Sequence, residues 1–256
     1  MTANVDPQIL TKKVKQMYQA VAENPFGEFH FEMGRALAER LGYDPTVLDT
    51  VPAPAIDSFA GVGHHFRLAK LQPGERVLDL GSGSGMDTFV AARYVGPTGS
   101  VVGIDMTDAQ RNKAESLRQA ANATNIKYDA GTIEALPYYD ESFDVVISNG
   151  VINLSAEKSR VFSEAARVLR PGGRLAISDI VTDVDLPEPV VCNAGLWAAC
   201  IGGALERERY QSLIEAAGMT VRLVQVNKQY GFLSNSAQGA VDKWGVKSIS
   251  LVAVKS

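Results

Sequence analysis

The sequence is poor in the residues that would mark a disulfide-stapled, metal-binding or membrane-spanning protein. Of its 256 residues two are cysteine, Cys192 and Cys200, and three are histidine. Two thiols cannot build a multi-bridge framework, so a reducing cytoplasm is the expected setting. No Cys/His spacing suggests a metal site, and none is expected. No apolar run approaches the roughly 20 residues of a membrane span. The N-terminal stretch MTANVDPQIL lacks the basic-then-apolar order of a signal peptide. Positive charge is not in excess either. Lys and Arg number 25 against 29 Asp and Glu, a net charge of -4, and no dense basic cluster occurs. Nucleic acid and anionic membrane surfaces are therefore not expected partners. No internal repeat or low-complexity segment interrupts the chain.

What is present is ordinary globular material. The chain is 46% hydrophobic and 21% charged, enough for one large α/β domain with a modest extension. It is organised around residues 77–87, Val-Leu-Asp-Leu-Gly-Ser-Gly-Ser-Gly-Met-Asp. A short apolar run over 76–80 reads as a buried strand. The glycines read as a tight turn, and a helical pattern follows over 87–94. Glycine lets backbone approach a ligand closely, because no Cβ intervenes. The helix start beyond it offers free N–H groups.

From residue 76 onward strand and helix patterns alternate. The expected strands are 76–80, 100–105, 126–130, 143–149, 173–180, 219–226 and 247–254. The expected helices are 87–94, 108–122, 156–169 and 206–217. Such alternation predicts a parallel sheet with helices on both faces. Between the last two strands no helical crossover is expected, only an antiparallel hairpin at the sheet edge. Upstream, helical patterns cover 7–22 and 31–42. Residues 44–55, rich in proline, are expected to be extended or turning. Residues 1–70 then form an N-terminal helical cap, 71–256 the main domain, and 181–205 an insertion within it.

A second ligand signal is Asp105, which ends the second strand 20 positions after Gly85. A carboxylate there accepts hydrogen bonds from both hydroxyls of a ribose; it also suits the start of the next helix. The glycine turn and Asp105 together point to an adenosine-containing cofactor. The spacing Gly81-x-Gly83-x-Gly85, preceded by Asp79, is not the dinucleotide pattern. It is followed by Gly131-Thr132-Ile133-Glu134 after the third strand and by Asn149 at the end of the fourth. This set resembles the Rossmann-like, seven-stranded class I methyltransferases, with a dinucleotide oxidoreductase as the distant alternative. The resemblance implies S-adenosyl-L-methionine as cofactor. It implies contacts from Asp79, Gly81, Ser82, Gly83, Gly85, Asp105 and Met106. Thr132, Ile133 and Glu134 would flank the adenine, and Asn149 would lie near the methionine end.

Longer stretches are similar to the arsenite methyltransferase family: Ile104–Thr107, Val146–Ser155, Leu196–Leu205 and Phe59–Gly63. That family holds trivalent arsenic through cysteine sulfurs, in keeping with a soft centre's preference for thiolates. Of three such positions this chain retains one, Cys200; the others are Val62 and Gly150. Cys192 can supply a second sulfur only if the chain bends, since eight residues of continuous helix span about 12 Å. Cys200 otherwise reads as a small buried apolar residue. The expected activity is methyl transfer to a small acceptor, arsenite or an organic metabolite, with cofactor binding without turnover as the alternative. If the acceptor must lose a proton, His64 and His65 are the candidate bases; packing is their other reading. Phe59 and Trp197 are candidates to wall the acceptor pocket. The oligomeric state is not legible.

Overall fold

A computed structural model describes residues 6–192, 197, 201–233 and 235–256. Its centre is a mixed sheet in the order β3-β2-β1-β4-β5-β8-β7. The strands are β1 (Arg76–Leu80), β2 (Ser100–Asp105), β3 (Ile126–Ala130), β4 (Phe143–Asn149), β5 (Leu169–Thr182), β7 (Met219–Val226) and β8 (Lys247–Lys255). The first five run parallel; β8 pairs antiparallel with both β5 and β7. A two-residue strand, β6 (Leu205–Glu206), adds to the far end of β5. The α/β class and the terminal hairpin follow the sequence pattern. β1 and β4 are buried almost throughout because both of their faces are covered.

On one face lie α6 (Met86–Val95) and the short N-terminal helices α2 (Arg35–Leu41), α3 (Pro45–Leu48), α4 (Ala53–Asp57) and α5 (Phe66–Ala69). On the other lie α8 (Lys158–Val168) and α10 (Arg207–Ala216). α7 (Asp108–Ala120) follows β2 and packs on α1 (Pro7–Glu23). A third apolar cluster joins α1, Val62, Leu154, Ile180, Trp197 and Ile201 with α11 (Asn235–Trp244) above the C-terminal rim of the sheet. The short helix α9 (Glu188–Val191) stands beside it.

Four expectations change. Residues 44–55 are not extended: α3 and α4 form there, because Pro45 and Pro54 sit in first turns that need no N–H, and Asp44 caps Thr46. The second helix begins at Arg35 rather than 31, since Gly34 holds φ +86. The stretch between β7 and β8 read as helix-free contains α11; its Gly239 weakens the helical signal of the sequence. β5 also starts earlier than 173, its pairing with β4 resuming after an irregularity around Pro171–Gly173.

Candidate functional site

The sheet order reverses direction between β1 and β4, and the crevice beyond their C-terminal ends is where open α/β sheets take ligands. A cavity of about 360 Å³ opens there, within the range of small-molecule sites. Its floor is the glycine turn. Gly81 and Ser82 both donate N–H to the Ile104 carbonyl, at 2.8 and 3.0 Å, tying the turn to β2. Gly81 has φ +68, and a Cβ on it would meet Val151 at 2.5 Å. Gly85 has φ +94, and a Cβ there would meet the Tyr128 hydroxyl at 2.1 Å. Only glycine fits either position.

Asp105 closes the turn from β2. Its carboxylate accepts N–H groups of Gly83 at 3.0 Å and Thr107 at 2.7 Å. Burial raises this carboxyl above its ordinary value, and those two donors oppose the rise. The Thr107 side chain also bonds it; a carboxylate has about four acceptor positions, which leaves room for a further donor from the cavity that Asp105 lines. Ser82 also lines it, with its hydroxyl buried against Gly103 and without a hydrogen-bond partner. A ligand bearing hydroxyls would satisfy Asp105.

Two more carboxyls stand behind the turn. Asp79 accepts the Thr88 hydroxyl at 2.7 Å. Burial, then the charge of Asp87, pushes its pKa up to about 8. Asp87 accepts the Tyr43 hydroxyl at 2.6 Å and an Asn149 amide N–H at 3.0 Å, and burial raises its pKa to about 6. Asn149, at the end of β4, is the hub. It accepts the N–H of Val62 at 2.8 Å and donates to the Gly63 carbonyl at 3.0 Å and to Tyr43 at 3.1 Å. One side chain thereby joins β4, α6 and the segment preceding β1. A paired set of buried acids beside a cavity favours a cationic ligand, whose charge stabilises their ionised forms.

Ten of the eleven expected cofactor residues share this cavity wall: Asp79, Gly81, Ser82, Gly83, Asp105, Met106, Thr132, Ile133, Glu134 and Asn149. Gly85 does not; it turns the chain into α6 against Tyr128. The histidines are not brought there either. His65 is fully buried without a hydrogen-bond partner, and burial lowers its pKa to about 3. His64 packs on Tyr43, its ring centroid 4.4 Å away, with a pKa lowered by burial to about 4. Both are neutral members of an aromatic cluster with Phe66. Phe59 does line the cavity. Trp197 is not among its lining residues; it is 6% exposed and donates to the Val191 carbonyl at 2.6 Å. Cys200 lies outside the described residues, and Cys192 is exposed.

The sequence reading missed several members of the wall. Leu10, Val14 and Tyr18 of α1 roof the cavity. Gln110 is 2% exposed; it accepts the Ser84 hydroxyl and donates to the Tyr18 carbonyl at 2.9 Å. A signal existed, for Gln110 falls one turn before Ala114 on the buried face of α7. Tyr43 had no local signal.

The match with known proteins agrees with this geometry. A methyltransferase domain family model covers residues 71–218. Over 250 residues the chain is 36% identical to an arsenite methyltransferase of Halobacterium salinarum, covering 92% of this chain and 64% of that one. It is 42% identical over 161 residues to the arsenite methyltransferase of Homo sapiens, 59% of this chain and 43% of the other. The crystal structure of an arsenic(III) S-adenosylmethionine methyltransferase from Chlamydomonas reinhardtii superposes with a TM-score of 0.63 at 33% identity, covering 87% of this chain and 74% of that one. The chain thus spans less than two thirds of the length of both curated relatives. Among the described residues no helix is long and apolar enough to cross a membrane. With the glycine turn, Asp105 and the buried acids gathered at the β1/β4 crevice, the chain belongs to the S-adenosylmethionine-dependent methyltransferase family and is similar within it to arsenite methyltransferases.

Proposed function

We propose that this protein transfers the methyl group of S-adenosylmethionine to a small acceptor in the cytoplasm, and that the acceptor attacks with a lone pair it already carries. The observation that carries the proposal is the cavity wall itself: carboxyls and backbone on the cofactor side, and Leu10, Val14, Phe59 and Leu154 in the rest of the lining beside polar Gln110, Glu157 and Arg160. Bound S-adenosylmethionine supplies an electrophilic methyl on a sulfonium, displaced in line by the acceptor. Asp105 would hold its hydroxyls, and Thr132, Ile133 and Glu134 would border its adenine. Asp79 and Asp87 would face its cationic end. Asn149 fixes Val62 and Gly63 against the end of β4, which keeps that side of the crevice in shape. Residues 1–70 would act as the cap, with Leu10, Val14 and Phe59 excluding water, and 181–205 would stand on the acceptor side.

Among the described residues no histidine or lysine lines the cavity. A trivalent arsenic lone pair needs no base, which agrees with the relatives' named substrate and makes arsenite the first acceptor to test. One observation favours a small organic acceptor as the second reading. A Cβ on Gly150 would lie 3.2 Å from Val62, so the two positions without the family's thiols face each other across an apolar contact. Any thiolate grip would rest on Cys200, with Cys192 or thiols from solution as the further sulfurs. The deciding experiment incubates the purified chain with S-adenosylmethionine and measures S-adenosylhomocysteine release. The acceptors are arsenite with glutathione, arsenite alone, and a panel of thiols and tertiary amines. Release with arsenite and glutathione, lost in Cys200→Ser, supports the first reading; release with an organic acceptor alone supports the second. Tight cofactor binding with no product from any acceptor overturns both.

A further inference from the structure

Lys158 occupies a position that two general rules disfavour. It is the first residue of α8, where the helix dipole repels a cation, and it is 6% exposed, where burial penalises charge. Its surroundings offset these penalties in part: burial lowers its pKa to about 7, and the charges of Asp179 and Glu134 oppose the fall. The ammonium donates to the Asn153 carbonyl at 2.9 Å and the Ser155 carbonyl at 2.7 Å, and it stands 4.6 Å from the centre of the Trp197 ring. Three donors meet two carbonyls and one π face, the full capacity of an ammonium. Asp179, also buried, acts on it by its charge. It accepts the N–H of Asn153 at 2.8 Å and the Tyr210 hydroxyl at 2.7 Å, so its charge is directed at the same turn. Glu134, which accepts from Ser155, adds a second negative charge.

The groups that Lys158 joins lie on different parts of the molecule. Leu154 and Ser155 are cavity wall. Trp197 belongs to the 181–205 segment, and its ring rests where two glycines clear the space. A Cβ on Gly202 would meet the indole at 2.3 Å, and one on Gly203 would meet it at 2.7 Å and the Asn153 carbonyl at 2.1 Å. We propose that Lys158 is a positioning residue for the acceptor: its ammonium holds the 152–155 turn and, through the face of Trp197, seats that ring and the adjoining Gly202–Gly203 turn beside it. The proposal rests on the reading of 181–205 as the acceptor side. The glycine turn and Asp105 of the cofactor side make no bond to Lys158; the two sides meet through the Ser155–Glu134 hydrogen bond.

The test separates the two. In a Trp244→Phe background Trp197 is the remaining tryptophan. There, Lys158→Met should make its fluorescence more accessible to acrylamide. The acceptor KM should rise about tenfold, with the S-adenosylmethionine Kd unchanged. Lys158→Arg keeps a cation that stacks on an indole and should recover most of both effects. If Lys158→Met does not fold, Trp197→Leu in the otherwise native chain leaves the two carbonyl bonds in place and should raise the acceptor KM alone. Unchanged quenching and unchanged KM in Lys158→Met overturn the clamp, as does a cofactor Kd that weakens in step with the acceptor KM. Quenching needs no turnover, so the clamp is decided even where no tested acceptor is methylated.

Discussion

The two sides of the crevice are built by different means. On the β1–β2 side the ligand wall is mostly backbone: glycines at positive φ, N–H groups directed at Asp105, a turn pinned to the Ile104 carbonyl. On the β4–β5 side it is held by side chains reaching across long stretches of sequence. Asn149 bonds to Val62, Gly63, Tyr43 and Asp87, and Lys158 to the 152–155 turn and Trp197. A backbone wall tolerates little change, since each glycine is required by its own dihedral or by an atom behind it. A side-chain wall can be rewritten one residue at a time. That asymmetry fits a family in which one cofactor serves many acceptors.

The largest effect is expected on the backbone side. Asp105→Ala removes the partner of the Gly83 and Thr107 N–H groups and the acceptor for ligand hydroxyls. One charge-assisted hydrogen bond to the ligand and one holding the turn, at about 1.5 kcal/mol each, predict a cofactor Kd about 100-fold weaker by calorimetry. An unchanged Kd would break the comparison at its strongest point. Next is the hub on the other side. Asn149→Ala leaves Tyr43, Asp87 and three backbone groups short of a partner, and should lower unfolding free energy by about 2–3 kcal/mol in urea. It should do so without matching the loss in cofactor affinity seen for Asp105→Ala. Equal losses in both assays would mean that the two sides are one cooperative unit.

The difference also explains what the sequence could reveal. The glycine turn, Asp105 and the parallel strands are local signals: a residue type, its spacing and its period suffice. Asn149 is visible as a strand end, yet its role depends on Tyr43, 106 residues away, and no local pattern joins them. His64 and His65 are candidate bases by sequence because they precede the core in the cap segment, with packing as the other reading. Their burial among Tyr43 and Phe66 is a tertiary fact. α11 was missed because Gly239 dilutes its helical pattern. The roof from α1 was missed because docking of a remote helix leaves its mark only on the surface that receives it, including Gln110.

A subtler effect is expected between the two sides, at Asp79. Its folded pKa of about 8 exceeds the ordinary carboxyl value. Folding therefore favours the protonated form. The associated stability is complete below the unfolded value of about 4 and is lost as pH rises toward 8. Asp79→Asn should consequently stabilise the protein at pH 8, on the order of a few kcal/mol, with a gain that shrinks toward pH 5. A cationic ligand works in the opposite direction, drawing off the proton. Binding of S-adenosylmethionine at pH 7 should release protons, seen as a calorimetric enthalpy that varies with the ionisation enthalpy of the buffer. It should strengthen between about pH 6 and 8 in the native chain. In Asp79→Asn that part of the pH dependence should vanish, leaving the smaller contribution of Asp87. A native profile flat across this range would show that the acids are not facing the cationic end.

The smallest effect is expected at the histidines, and it bears on the side-chain wall. His65→Phe exchanges one buried ring for another of similar shape and leaves no polar atom unpaired. Stability should stay within about 1 kcal/mol of the native protein or rise slightly, since both imidazole nitrogens lack partners. His64→Phe keeps the contact with Tyr43. With an acceptor that turns over, kcat should remain within about twofold for either variant, because neither ring lines the cavity and both are neutral near pH 7. A general base would behave otherwise. Its loss lowers kcat by about 100-fold or more and removes the acidic limb of the pH–rate profile. Were that seen, the segment around Gly63 would have to open during turnover, and the hydrogen bonds from Asn149 that hold it would be part of a moving gate instead of a fixed wall.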